Sequence, residues 1–241
     1  MSADLRAILS ERPAYGAWST IGDPTVVGLL AVPGIDYVVF DLQHGSADES
    51  DLPALTSAAV AAGVVPLARV RAPQHVYVSR ALDLGAYGVV VPHVDSAGIA
   101  REVVAACRTA PLGRRSFGRV IGGSDNPMCI VMVESAAAVQ AVDEIVGVEG
   151  VDGVYIGPWD LSLTLGCTPD RHAPPLADAL RAVWSACAAA GVACGTHAVD
   201  GESASAYAEA GCRLVTVVSD APAIRHTAAA QLAAAQLRRS G

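Results

Sequence analysis

Eight short stretches of the chain are almost continuously apolar: residues 16–19, 37–42, 64–70, 88–94, 129–134, 154–157, 192–197 and 214–219. Unbroken apolar runs of this length are what strands covered on both faces require. Between them lie Ala-rich segments whose apolar positions recur with a helical period, at 51–62, 76–84, 97–107, 136–146, 177–189, 203–210 and 222–237. Asp95-Ser96 and Asp220 stand where helix N-caps belong, and Gly63, Gly191 and Gly211 where a chain leaves a helix. Eight strand–helix units in 241 residues predict a single-domain (β/α)8 TIM barrel. An open, doubly wound sheet is the alternative, and the count of eight favours closure. No linker, low-complexity tract or internal repeat interrupts the pattern. The longest irregular stretch, 110–127, is expected to follow the fourth strand on the catalytic face.

In such a barrel the functional side chains gather at the C-terminal ends of the strands. Those ends carry Ser19; Asp41, Gln43 and His44; Arg69 and Arg71; His93 and Asp95; Glu134; Asp160; His197; and Asp220. Glu134 and Asp160 end neighbouring strands, which lie roughly 5 Å apart, so both carboxylates are candidates to hold one hard cation. Two oxygen ligands suit Mg²⁺ or Mn²⁺ better than zinc and leave positions for water and substrate oxygens. Taken singly, Glu134 also reads as a helix N-terminal carboxylate and Asp160 as a turn cap; together at adjacent strand ends the metal reading leads. Arg69, inside an apolar run, needs an anionic or carbonyl partner. Asp83 sits at a helix C-terminus, where a carboxylate is disfavoured, and His44 is the candidate partner. His93, His197 and Asp220 read as structural, Asp220 as an N-cap. Trp159 stands where it would wall the site.

Composition then narrows the chemistry. All sixteen basic residues are arginine. With no lysine, Schiff-base catalysis, pyridoxal phosphate attachment and a Walker-type phosphate loop are excluded. A net charge of −8 argues against nucleic acid as a partner. No apolar run approaches the ~18 residues of a membrane span, and the opening MSADLRAILSERP has early charges and no apolar stretch, so no signal peptide is expected. The six cysteines show neither C-x-x-C nor zinc spacing and read as reduced core thiols of a cytoplasmic protein.

The segments DLQHG, ARV, ALDLGAYGVVVPHV, VMVES and VDGVYIGPWDLSLTLG together resemble the HpcH/HpaI aldolases, metal-dependent class II pyruvate aldolases of the phosphoenolpyruvate/pyruvate barrel superfamily. The likeness runs from about residue 16 to residue 220. It implies cleavage or formation of 4-hydroxy-2-oxoacids through a pyruvate enolate and an aldehyde. It implies a Mg²⁺ or Mn²⁺ (or Co²⁺) cofactor and a homo-oligomer, hexamer or trimer, whose last helix, about 221–238, is exchanged between subunits. By the resemblance, Glu134 and Asp160 match the metal ligands and Arg69 the arginine on the keto oxygen. His44 matches the proton-transfer histidine and Asp83 its acidic partner. Gly157, Pro158, Trp159 and Asp160 match the turn that receives the pyruvate carboxylate, and Arg115 an arginine of the loop after strand 4. The chain departs from the family at Gln43, where glutamate is usual, at Met132, where glutamine is common, and at Trp159, where a small residue is usual. These departures keep two other readings open: a Claisen-type synthase or lyase acting on a CoA ester or 2-oxodicarboxylate, and a retired barrel with a binding role.

Overall fold

The structure is a computed structural model and describes residues 4–118 and 122–237. Eight strands, β1 (Ala14–Ser19), β2 (Tyr37–Asp41), β3 (Val65–Arg69), β4 (Gly88–Val91), β5 (Met128–Val133), β6 (Gly153–Ile156), β7 (Ala193–His197) and β8 (Leu214–Ser219), pair in parallel in sequence order. β8 closes on β1, so the sheet is the expected closed barrel and not an open one. The helices are α1 (Leu5–Glu11), α2 (Pro24–Leu30), α3 (Leu52–Ala61), α4 (His75–Asp83), α5 (Ala97–Cys107), α6 (Ala136–Gln140), α7 (Val142–Val146), α8 (Pro158–Thr164), α9 (Pro174–Ala190), α10 (Gly201–Glu209) and α11 (Asp220–Leu237).

Two apolar layers hold this arrangement. Val39, Leu67, Val90, Ile130, Tyr155 and Leu214 fill the barrel. Phe40, Leu55, Val89, Val131, Leu161 and Val183 pack between the strands and the outer helices. Strand residues alternate between these layers, which is why the strands read as continuous apolar runs. Local signals fix the ends of the helices. Ser96 caps α5 by accepting from the Ile99 amide at 3.3 Å. Asp200 and Ser203 form a capping box on α10. Gly191 ends α9 at φ +68°, where a side chain would be strained. All six cysteines are free thiols.

Three helices lie outside the predicted pattern. α1 covers the N-terminal end of the barrel: Arg6 pairs with Asp152 at 2.7 Å, and Arg213 donates to the Leu9 carbonyl at 2.6 Å. α2 begins at Asp23, whose side chain accepts from the Thr25 amide, followed by Pro24 at the first helical position. α8 begins at Pro158, so the turn read at Asp160 continues into a helix with Asp160 in its first turn. The expectation for residues 110–127 is corrected. They join α5 to β5, and in a β/α unit the helix returns the chain to the N-terminal end. The loop therefore lies opposite the strand ends that carry Glu134 and Asp160. Residues 119–121 of it lie outside the described residues.

Candidate active site

The C-terminal ends of alternate strands contribute one inward layer: Trp18 from β1, Arg69 from β3, Met132 from β5 and His197 from β7. The indole of Trp18 lies at its centre. The Arg69 guanidinium carbon is 5.0 Å from the indole centroid, and the His197 ring is 4.5 Å from it. The loops that follow β2, β4, β5 and β6 continue from this same end of the barrel.

Arg69 finds its required anion in Asp41. The two residues are directly opposite in the β2–β3 register. Asp41 Oδ1 accepts from Arg69 Nε at 2.9 Å, and Oδ2 accepts from the other side of the same fork. Oδ2 also accepts from the Trp18 indole at 3.1 Å, and Oδ1 from the Gln43 and His44 amides, each at 3.0 Å. Burial works to raise the Asp41 carboxyl, but Arg69 and these donors outweigh it and hold the group below the usual carboxylate range. Asp41 is thus the anchor of Arg69, a role that residue-type reasoning did not assign. The register of two adjacent strand ends, one acidic and one basic, was the signal that could have found it.

Glu134 is buried directly beneath the β6–α8 turn. Its Oε1 accepts from the His93 amide at 2.7 Å and lies 3.1 Å from His93 Nδ1. His93 adopts φ +59°, a left-handed conformation that turns both donors toward one oxygen. With Nδ1 donating, Nε2 is free to accept from Gln43 Nε2 at 3.2 Å. That leaves the buried Gln43 Oε1 without a partner among the described residues. His93 therefore positions Glu134, a structural role of the kind expected. Burial raises the Glu134 carboxyl above its usual range, and the neighbouring Asp160 adds to the rise. A side chain at Gly157 would put Cβ 3.0 Å from Glu134 Cβ and 3.1 Å from Oε2, so the glycine leaves room for the carboxylate. Asp160 is exposed in the first turn of α8. Trp159 is 64% exposed, so its ring is not packed under the loop.

The donor set suits a hard divalent cation. Glu134 lies against the Gly157 backbone, and burial together with the nearby negative charge of Asp160 disfavours its ionised form, which a cation held there would relieve. Among the described residues no three His, Cys, Asp or Glu side chains converge on one point. The protein would then supply two oxygens and leave the remaining positions to water and substrate.

His44 follows β2 at the same end of the barrel, with its ring exposed. Its expected partner Asp83 is not there. Asp83 ends α4 at the opposite end of the barrel and is held by Arg115, whose Nε and a terminal nitrogen lie 3.2 and 2.8 Å from Oδ1. The expected His44–Asp83 contact is therefore corrected within one chain: α4 starts near the catalytic end and carries its C-terminus away from it. Arg115, buried against Asp83, is equally remote from Glu134. Asp220 begins α11 and accepts from Ser19, Thr20 and Ile21, tying β8 to the loop after β1.

Residues 14–227 match the HpcH/HpaI aldolase/citrate lyase family. The chain is 33% identical over 240 residues to a hydroxypyruvate/pyruvate aldolase of Delftia acidovorans, covering 94% of this chain and 89% of the relative. It is 31% identical to a 5-keto-4-deoxy-D-glucarate aldolase of Salmonella paratyphi A, with 91% of each covered. A crystal structure of a HpcH/HpaI aldolase/citrate lyase family protein from Burkholderia cenocepacia superposes with a TM-score of 0.88 at 31% identity, covering 97% and 98% of the two chains. The citrate synthase SbnG superposes with a TM-score of 0.89 at 26% identity over 99% and 100%. These matches span the barrel and both of its carboxylate-bearing strand ends, and the chain belongs to the HpcH/HpaI aldolase/citrate lyase family.

Proposed function

We propose that the protein is a class II aldolase that adds a 2-oxoacid donor, pyruvate or its 3-hydroxy analogue, to an aldehyde and catalyses the reverse cleavage. The observation that carries this reading is that Glu134 and Asp160 follow the adjacent strands β5 and β6, close enough for Asp160 to act on the Glu134 charge, at the same end of the barrel as the Asp41-anchored Arg69. Glu134 and Asp160 would hold Mg²⁺, Mn²⁺ or Co²⁺, which would supply positive charge to stabilise the negative charge that develops on the donor. Arg69 directs N–H groups at the 2-oxo oxygen, and Asp41 keeps the guanidinium plane fixed so that nothing reorganises as charge develops. The Trp159 and Asp160 amides, at the start of α8 and without a partner among the described residues, receive the donor carboxylate beside Gly157 and Pro158. His44, directly or through water, takes the proton of the 4-hydroxyl in cleavage and returns it in synthesis. Trp159 limits the aldehyde, because its exposed indole narrows the mouth without touching the carboxylates.

The assembly belongs to the same reading. α11 is exposed along almost its whole length, with Ile224 and Leu232 open to solvent. Leu112 and Phe117 of the 110–127 loop are 78% and 96% exposed. Both surfaces are suited to packing on further copies in a hexamer or trimer. Asp83 and Arg115 would then serve a neighbouring copy's site. Among the described residues no helix is long and apolar enough to cross a membrane, and we assign the protein to the cytoplasm.

The test is oxaloacetate decarboxylation and 4-hydroxy-2-oxoacid cleavage, before and after EDTA and with each metal restored. Loss of both reactions on chelation and recovery with metal is expected. Full turnover in verified metal-free protein would overturn the reading. Metal-dependent decarboxylation without aldol cleavage would favour the Claisen-type alternative, for which the likeness to SbnG speaks. No reaction with any metal would leave a retired barrel.

A further inference from the structure

His197 has no counterpart in the scheme above, yet it occupies the same inward layer as Arg69. Its Nδ1 lies 3.0 Å from the Tyr155 hydroxyl, and that hydroxyl donates to Thr216 Oγ1 at 2.6 Å. Thr216 Oγ1 in turn lies 3.2 Å from the Tyr37 hydroxyl. Burial keeps both phenols protonated well above their usual range. Tyr155 has one proton, and Thr216 receives it, so Tyr155 accepts the Nδ1–H of His197. The tautomer is thereby set, and Nε2 is left as an unprotonated acceptor. Burial first, and the charge of Arg69 second, push the His197 ring down to about 4, so it stays neutral at neutral pH. The Trp18 ring lies tilted at 57° against it, with centroids 4.5 Å apart, and Tyr155 meets it edge-on at 5.5 Å, and together they hinder it from turning. Nε2 faces away from Tyr155 and has no hydrogen-bond partner among the described residues.

We propose that His197 is the donor-specificity residue: its Nε2 accepts a hydrogen bond from the 3-hydroxyl of a 3-hydroxy-2-oxoacid, so that the site takes hydroxypyruvate-type donors in preference to pyruvate. The inference rests on the aldolase reading for the placement of the donor. A 2-oxoacid with its keto oxygen on Arg69 and its carboxylate at α8 lies flat on the floor that Trp18 and His197 complete. C3, adjacent to the keto carbon, is the atom left to face β7. A methyl group there leaves the fixed lone pair of Nε2 unsatisfied, whereas a hydroxyl pairs with it. A buried acceptor deprived of its partner typically weakens recognition by roughly ten- to a hundredfold, and sites built around a substrate hydroxyl reject the analogue that lacks it.

The experiment compares hydroxypyruvate with pyruvate as donors to glycolaldehyde in the Mn²⁺-loaded protein. The binding of each donor without aldehyde is measured in parallel by calorimetry. His197→Leu should reduce the hydroxypyruvate-to-pyruvate ratio, in kcat/KM and in affinity, by roughly ten- to a hundredfold. His197→Gln, which offers an amide oxygen in a similar place, should restore part of it and guards against a folding defect in the leucine variant. Ratios unchanged in both variants would overturn the proposal. Discrimination in binding without any turnover would count against the aldolase reading and leave His197 in its role.

Discussion

At the scale of single residues, the site depends on one buried ion pair. Asp41 is 2% exposed and the Arg69 side chain 11%, so removing either partner strands a charge away from water. Asp41→Asn should lower the free energy of unfolding by about 3–5 kcal/mol, measured by urea denaturation. It should also reduce kcat more than donor affinity, because Arg69 would then have to reorganise as charge develops. The acid side of the stability profile follows from the same pair. A carboxyl held below its ordinary value stabilises the fold above that value and loses the contribution as pH falls through the folded pKa. Wild type should therefore lose stability on acidification in this range, and the Asp41→Asn variant should lose less. If that variant proved as stable as wild type, the pair would contribute nothing net. Arg69→Lys should be nearly as damaging to turnover as Arg69→Ala. The fork serves Asp41 and the substrate at once, which a point charge cannot do.

At the scale of elements, the β6–α8 junction does the most with the fewest residues. β6 ends just before Gly157, Pro158 starts the helix, and Asp160 arrives within the first turn, near enough to act on the Glu134 charge. The glycine is needed for space and not for conformation, since its φ of −93° is open to any residue. A methyl group there would press on Glu134 Cβ and Oε2 and on Met132 Cε, at 3.0, 3.1 and 3.2 Å. Gly157→Ala is expected to fold normally and to weaken Mn²⁺ binding by pushing Glu134 away from Asp160. Calorimetric titration of Mn²⁺ checks this; an unchanged affinity would remove the Gly157 gap from the account of the metal site.

At the scale of the whole molecule, both ends of the barrel carry features that a single chain leaves unused. The catalytic end has a histidine, His44, without its acidic partner. The opposite end has an Asp83–Arg115 pair, with Arg115 buried and Asp83 partly exposed, in the same region as the exposed Leu112 and Phe117. Phe117→Asp should shift sedimentation toward smaller species and lower turnover in the same variant, though residue 117 lies at the far end from Glu134. A dissociated protein with full turnover would show that each barrel is complete by itself.

Much of this was legible in the chain. Continuous apolar runs separated by helical periodicity predict eight strand–helix units with strands buried on both faces, and the β8–β1 pairing closes them into a barrel. The absence of lysine excludes the Schiff-base route by composition alone. The common placement of Glu134, Asp160 and Arg69 at one end of the barrel was accessible because all three lie at or just after strand ends. Tertiary structure decided what depends on register and direction. Only the β2–β3 pairing gives Arg69 its anchor in Asp41. Only the direction of α4 and α5 carries Asp83, Arg115 and the 110–127 loop to the far end, since a short motif records order along the chain and not which end of the barrel it reaches. Only the stacking of β1, β6, β7 and β8 turns His197, ordinary as a residue type, into a ring with one fixed tautomer. A hydrogen-bond chain through Tyr155 and Thr216 joins residues 42 and 61 positions from Tyr155 along the chain, and no local pattern could encode it.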